Sequence, residues 1–124
     1  MAAPGSNSST LYAYIVANSL FTPRQLSIIL KQLGGGGKPE KLSSGAYYRQ
    51  VKQCRKKVVS VLYSMMLLQS IGVVQQEAPA TLSKLAEQSA VIFASERSSD
   101  ATPRLNVNDV IPVINEVIKR MSKL

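Results

Sequence analysis

This 124-residue chain predicts a mainly α fold. Apolar residues recur at helical spacing in five stretches. Those stretches are separated by Gly, Pro, Ser and Thr at positions where such residues start or stop helices. The one segment that reads as extended is Val73-Val74-Gln75-Gln76, a short strand or hairpin at most.

In chain order, residues 1–8 read as a flexible tail. Ser9 or Thr10 caps a first helix carrying Leu11, Tyr12, Ile15, Val16 and Leu20. Thr22-Pro23-Arg24-Gln25 is a second start: Thr22 is the cap, Pro23 suits the first helical position, and Gln25 completes a capping box. That helix aligns Leu26, Ile29, Leu30 and Leu33 and stops at Gly34-Gly35-Gly36-Gly37. Residues 34–42 form a flexible linker, stiffened at Pro39. Ser43 or Ser44 caps a long third helix from about Gly45 to about Ser70, which Gly72 ends. Pro79 breaks the chain, and Thr81 opens a fourth helix to about Ala94. A polar loop covers 95–106. Asn108-Asp109 starts a last helix with Pro112 in its first turn and Val110, Ile114, Val117, Ile118 and Met121 as an apolar stripe. There is no internal repeat. The organisation expected is a tail over 1–8, a basic domain over 9–76, and a C-terminal helical part of the same domain over 77–124 that serves dimerisation.

Composition excludes several functions. A hydrophobic fraction of 45% and a mean hydropathy of +0.04 exclude wholesale disorder. With no His, the commonest general base and metal ligand is missing, and one Cys cannot complete a zinc site. The seven acids are scattered, with no pair at i, i+3 or i+4 spacing inside an expected helix. No enzyme, cofactor, metal or small-molecule substrate is expected. Cys54 cannot form an internal disulfide, which fits a reducing cytoplasm. It lies beside Arg55-Lys56-Lys57, which favour a thiolate, but its register makes it a small core residue. The small, polar N-terminal residues do not read as a signal peptide. The uncharged run 58–74 is interrupted by Ser60, Ser64, Gln69 and Ser70 and is at the short limit for a membrane span. Gly34–Lys38 follows a helix and continues Pro-Glu, so it is a linker and not a phosphate loop.

Charge gives the positive signal. Residues 1–57 hold nine Lys/Arg and one acid, Glu40, a net +8, while residues 58–124 hold six of each sign. No acid lies between Lys41 and Glu77. A helix that is merely soluble tends to interleave signs, so this asymmetry points to a polyanion.

The third helix concentrates the signal. Tyr47, Val51, Cys54, Val58, Val61, Met65 and Leu68 are spaced 4, 3, 4, 3, 4, 3, an unbroken heptad seam. Arg49, Lys52, Gln53 and Lys56 fall on the opposite side, Lys57 flanks them, and Arg55 sits nearer the seam's border. In the rear half Val59, Leu62, Tyr63, Met66 and Leu67 carry apolar surface around nearly the whole circumference. Such a stretch needs enclosure by neighbours or by a second subunit.

A short helix and a turn, then Ser43-Ser44-Gly45-Ala46-Tyr47-Tyr48-Arg49-Gln50-Val51 and a hydrophobic helix ending in Ile71-Gly72-Val73-Val74, resemble a helix-turn-helix of the winged-helix superfamily over residues 10–76. The resemblance implies a recognition helix whose N-terminal residues enter the major groove. Ser44, Tyr48, Arg49, Lys52 and Gln53 would then face the groove. Arg49 offers a bidentate fork to guanine, and Gln50 or Gln53 an amide to adenine. Lys38, Lys41, Lys56 and Lys57 would contact phosphates. Tyr47 belongs to the core by its heptad position, leaving Tyr48 as the exposed ring. The function expected is a cytoplasmic homodimer that binds double-stranded DNA, as a transcriptional regulator or a DNA-organising protein. The alternatives are an RNA-binding or ribosome-associated protein using the same face, and a non-enzymatic helical adaptor whose last helix docks in a partner's groove.

Overall fold

Helices account for most of the chain in a computed structural model that describes residues 10–34, 43–97 and 107–124. They are α1 (Leu11–Ala17), α2 (Pro23–Gly34), α3 (Ser44–Ser70), α4 (Ala78–Arg97) and α5 (Val107–Met121). The mainly α expectation holds. Among the described residues the extended backbone amounts to one antiparallel bridge, Val74 with Ser122. The tail, the linker residues 35–42 and the loop residues 98–106 lie outside the described residues.

The chain divides into two compact units, Ser19–Leu67 and the combination of Met1–Asn18 with Leu68–Leu124. The expected basic domain over 9–76 groups α1 with α2 and α3, whereas α1 packs on α4 and α5. The reason is visible at its start. Thr10 caps α1 by accepting from the Ala13 amide at 3.0 Å. The Glu96 carboxylate, from the last turn of α4, accepts from the Leu11 amide at 2.6 Å and the Tyr12 amide at 3.3 Å. An anion beside the exposed amides of a helix start satisfies donors and meets the positive end of the dipole. Leu11 is fully buried, and Tyr12 meets Phe93 edge-on with centroids 5.2 Å apart. Leu20, expected on this helix, lies beyond its end at Asn18 and is exposed.

Two expected boundaries shift. Pro79 does not break the chain: it occupies the first turn of α4, where its missing N–H leaves nothing unpaired. α4 therefore begins three residues before Thr81 and runs on to Arg97. Pro112 sits six residues into α5, past its first turn.

α3 ends as its sequence demands. Gly72 has φ +77°, its amide donates to the Gln69 carbonyl at 3.1 Å, and the Val73 amide reaches the Leu68 carbonyl at 3.2 Å. This pair of bonds is the Schellman cap, which needs a left-handed residue. The expected strand beyond it is realised as two bonds to the chain's C-terminal residues. The Gln75 amide donates to the Met121 carbonyl and the Lys123 amide to the Val73 carbonyl, both at 2.8 Å.

A Cβ at position 72 would meet no atom within 4 Å, so substitution there costs backbone conformation alone. Gly72→Ala is expected to lower unfolding free energy by about 1 kcal/mol, and Gly72→Asn by less, because Asn tolerates this region. Urea denaturation of both variants checks the order.

Candidate nucleic-acid interface

The Ser19–Leu67 unit is a helical hairpin whose second arm carries the candidate residues. Its first arm starts with the expected capping box. The Thr22 amide donates to Gln25 Oε1 at 3.0 Å, and the Gln25 amide to Thr22 Oγ1 at 3.1 Å. The second arm is capped by Ser43, whose Oγ accepts from the Ala46 amide at 3.1 Å.

The arms meet through the heptad seam. Ile28, Tyr47 and Cys54 form the buried cluster, with Ile29 and Val51 packed against it. Tyr47 is 2% exposed and its hydroxyl donates to Gln32 Oε1 at 3.0 Å. The Cys54 thiol is buried and points at the Gln25 carbonyl, 3.7 Å away. Both residues are core, as their register requires, and Tyr48 is the exposed ring at 65%.

With that seam turned inward, the opposite face is fixed by helical geometry. Arg49, Lys52 and Lys56 fall within an arc of about 60°; all three are exposed, as are Ser44, Gln53 and Arg55. Gln50 does not share the face. It is half-buried, and its Oε1 is shielded from solvent without a hydrogen-bond partner among the described residues. Gln53 is therefore the amide that faces outward. Lys38 and Lys41 lie outside the described residues.

Lys57 is placed differently from its neighbours. Its Nζ donates to Gln25 Oε1 at 3.1 Å and stands 5.4 Å from the centroid of the Phe21 ring. The cation is thus held against α2 by a hydrogen bond and a cation–π contact. Sequence reading missed this role for Gln25, whose side chain closes the capping box and also receives Lys57. Arg24, Lys31 and Arg55 are further exposed cations of the unit. Its described residues hold seven Lys/Arg and no acid. The described residues of the other unit hold five of each sign, and the ion pair there is Arg120 with Glu116 at 3.1 Å, one turn apart on α5.

Two hollows are lined by described residues of that other unit. One, of about 310 Å³, is lined by Gln69, Gly72, Val74, Gln75, Gln76, Pro79 and Lys123. The other, of about 290 Å³, includes Glu77, Thr81 and Arg120. Among the described residues no group of His, Cys, Asp or Glu could hold a metal ion, and no helix is long and apolar enough to cross a membrane.

Comparison with protein-family models, curated proteins and solved structures finds no match.

The two kinds of lysine on α3 separate experimentally. Lys57→Met is expected to lower unfolding free energy by about 1 kcal/mol, through the lost hydrogen bond and ring contact. Lys56→Met, with an exposed side chain, should stay within about 0.5 kcal/mol of the parent. Urea titration of each variant reads the difference directly.

Proposed function

We propose that this protein binds double-stranded DNA through the outer face of the front half of α3. The observation that carries the reading is a unit whose described residues hold seven cations and no acid, three of the cations aligned on one exposed helix face. Like charges held together without counter-charges cost stability. Apposed phosphates remove that cost and release the counterions condensed on DNA.

In this reading α2 is the supporting helix and α3 the recognition helix of a helix-turn-helix arrangement. α2 occupies the inner seam and leaves the N-terminal outer face of α3 open to a groove. Arg49 supplies a planar fork for a guanine edge and Gln53 an amide for adenine. Lys52, Lys56 and Arg55 serve phosphates, which set position and carry no sequence information. Tyr48 lies one residue before Arg49 and offers an aromatic face at the groove edge. The role is that of a cytoplasmic regulator or organiser of DNA that performs no chemistry itself.

The test is fluorescence anisotropy of a labelled duplex over a salt series, with RNA of the same sequence in parallel. Four or five neutralised phosphates give a slope of about −4 in log affinity against log salt, with duplex DNA favoured. Lys52→Glu with Lys56→Glu should abolish binding and leave helicity unchanged. Retained affinity removes this face from the mechanism, and a preference for RNA replaces the ligand.

Arg49→Ala separates reading from anchoring. It should narrow the gap between best and random sequences by about 1–3 kcal/mol if Arg49 contacts a base. An equal loss on all sequences reassigns it to a phosphate. Competition binding with a selected site against random duplex measures the gap.

A further inference from the structure

Of the two kinds of enclosure that the rear half of α3 calls for, its described neighbours do not supply the first. Leu62 is 58% exposed, Tyr63 67%, Met66 60% and Leu67 58%, and Val58, Val59 and Met65 are also exposed. Residues 58–67 carry no charge, and their polar side chains are Ser60 and Ser64. Ser64 Oγ donates to the Ser60 carbonyl at 2.8 Å, so that hydroxyl is satisfied within the helix. A contiguous apolar stretch of this kind on a soluble surface marks an interface.

The stretch continues the cationic face and is distinct from the inner seam. Arg49, Lys52, Lys56, Val59, Tyr63 and Met66 are spaced 3, 4, 3, 4, 3, one heptad stripe that is basic in its front half and apolar in its rear half.

We propose that a second copy of this chain docks antiparallel on this apolar stripe, about a two-fold axis near Tyr63. Area supports a dimer. A large side chain presents on the order of 150–200 Å² when free, so at the exposures of Val59, Leu62, Tyr63, Met66 and Leu67 the stripe offers about 500 Å² per chain, more than half of the ~800 Å² per partner of a standard interface. Pattern supports self-pairing, because the two-fold sets Val59 against Leu67 and Tyr63 against Tyr63, with no charge on either side. Charge selects the direction. A parallel pair would align Arg49, Lys52 and Lys56 with their own copies, whereas the antiparallel pair sets Lys56 opposite Ser70 of the second copy and leaves Lys52 and Arg49 beyond the overlap.

The arrangement has a consequence that rests on the DNA reading. Lys52 stands eleven residues from Tyr63, so the two cationic patches lie about 33 Å apart at 1.5 Å per residue. Because the two-fold turns the two stripes toward each other, the patches face in opposite directions and would meet separate stretches of duplex.

The dimer is tested on the full chain without nucleic acid, so its failure is distinguishable from failure of the DNA reading. Sedimentation velocity over a concentration series should show a reversible dimer. Tyr63→Lys and Tyr63→Glu should each weaken it about tenfold or more with unchanged circular dichroism, and a mixture of the two should recover a heterodimer. Direction is read by disulfide trapping in a Cys54→Ser background. Val59→Cys mixed with Leu67→Cys should cross-link, and Val59→Cys alone should not. A monomer at every concentration, a dimer indifferent to both charges at position 63, or Val59→Cys linking to itself overturns the proposal. So does Tyr63-dependent capture by lipid vesicles from a monomeric protein, which would assign the stripe to a membrane surface.

Discussion

The direction in which the front half of α3 faces is decided by one small packing arrangement. Ile28 and Ile29 of α2 receive Tyr47, Val51 and Cys54, and Gln25 adds polar contacts at the edge of that cluster. Its carbonyl meets the Cys54 thiol and its side chain holds both the Thr22 amide and Lys57. A helix has a single rotational freedom about its axis, and a seam of buried side chains removes it. Once Tyr47 and Cys54 point inward, Arg49, Lys52 and Lys56 have no position except outward. The polar contacts add specificity to that choice: a one-residue rotation of α3 would bury a lysine against isoleucines without a partner for its charge.

The same constraint explains how charge is distributed. Cations gathered where the described residues supply no acid repel one another, and at physiological salt the repulsion extends about 8 Å. The fold tolerates this because the charged groups stand in water on exposed helix faces, while Lys57, half-buried, has a carbonyl oxygen and a ring face to sit against. In the Leu68–Leu124 part of the chain the signs balance, and one of its acids, Glu96, is committed to the amides that start α1.

The sequence rendered local chemistry faithfully and long-range partners poorly. The capping box at Thr22 and Gln25, the Ser43 cap and the Gly72 stop were legible because each depends on residues within a few positions. Core Tyr47 and Cys54 were legible because heptad spacing reports one face of one helix. The assignment of α1 to α4 and α5 was not, since it depends on Glu96, more than eighty residues away from the amides it binds. Pro79 misled because proline both ends helices and suits their first turn, and only the neighbouring turn decides which applies. The inward position of Lys57 was hidden because a lysine's register does not tell which of its neighbours offers an acceptor. The periodicity of the rear seam was real, yet Val58, Met65 and Leu68 remain exposed: a pattern states which residues want a partner, not whether the same chain supplies it.

Basic front and apolar rear on one stripe also place the two proposed contacts under opposite electrostatic control. Bringing two chains of formal charge +8 together is opposed by a repulsion that salt screens, so self-association gains as ionic strength rises. Binding a duplex is driven by displaced counterions, so it loses as ionic strength rises. A bound polyanion, however, neutralises the charge that opposes pairing. It thereby favours the dimer, and by reciprocity the dimer favours it by the same factor. The antiparallel register keeps these effects from colliding. Tyr63 and its neighbours meet where there is no charge, Lys56 stands two helical turns away at the end of the overlap, and Lys52 and Arg49 lie beyond it, where phosphates rather than a second copy would face them.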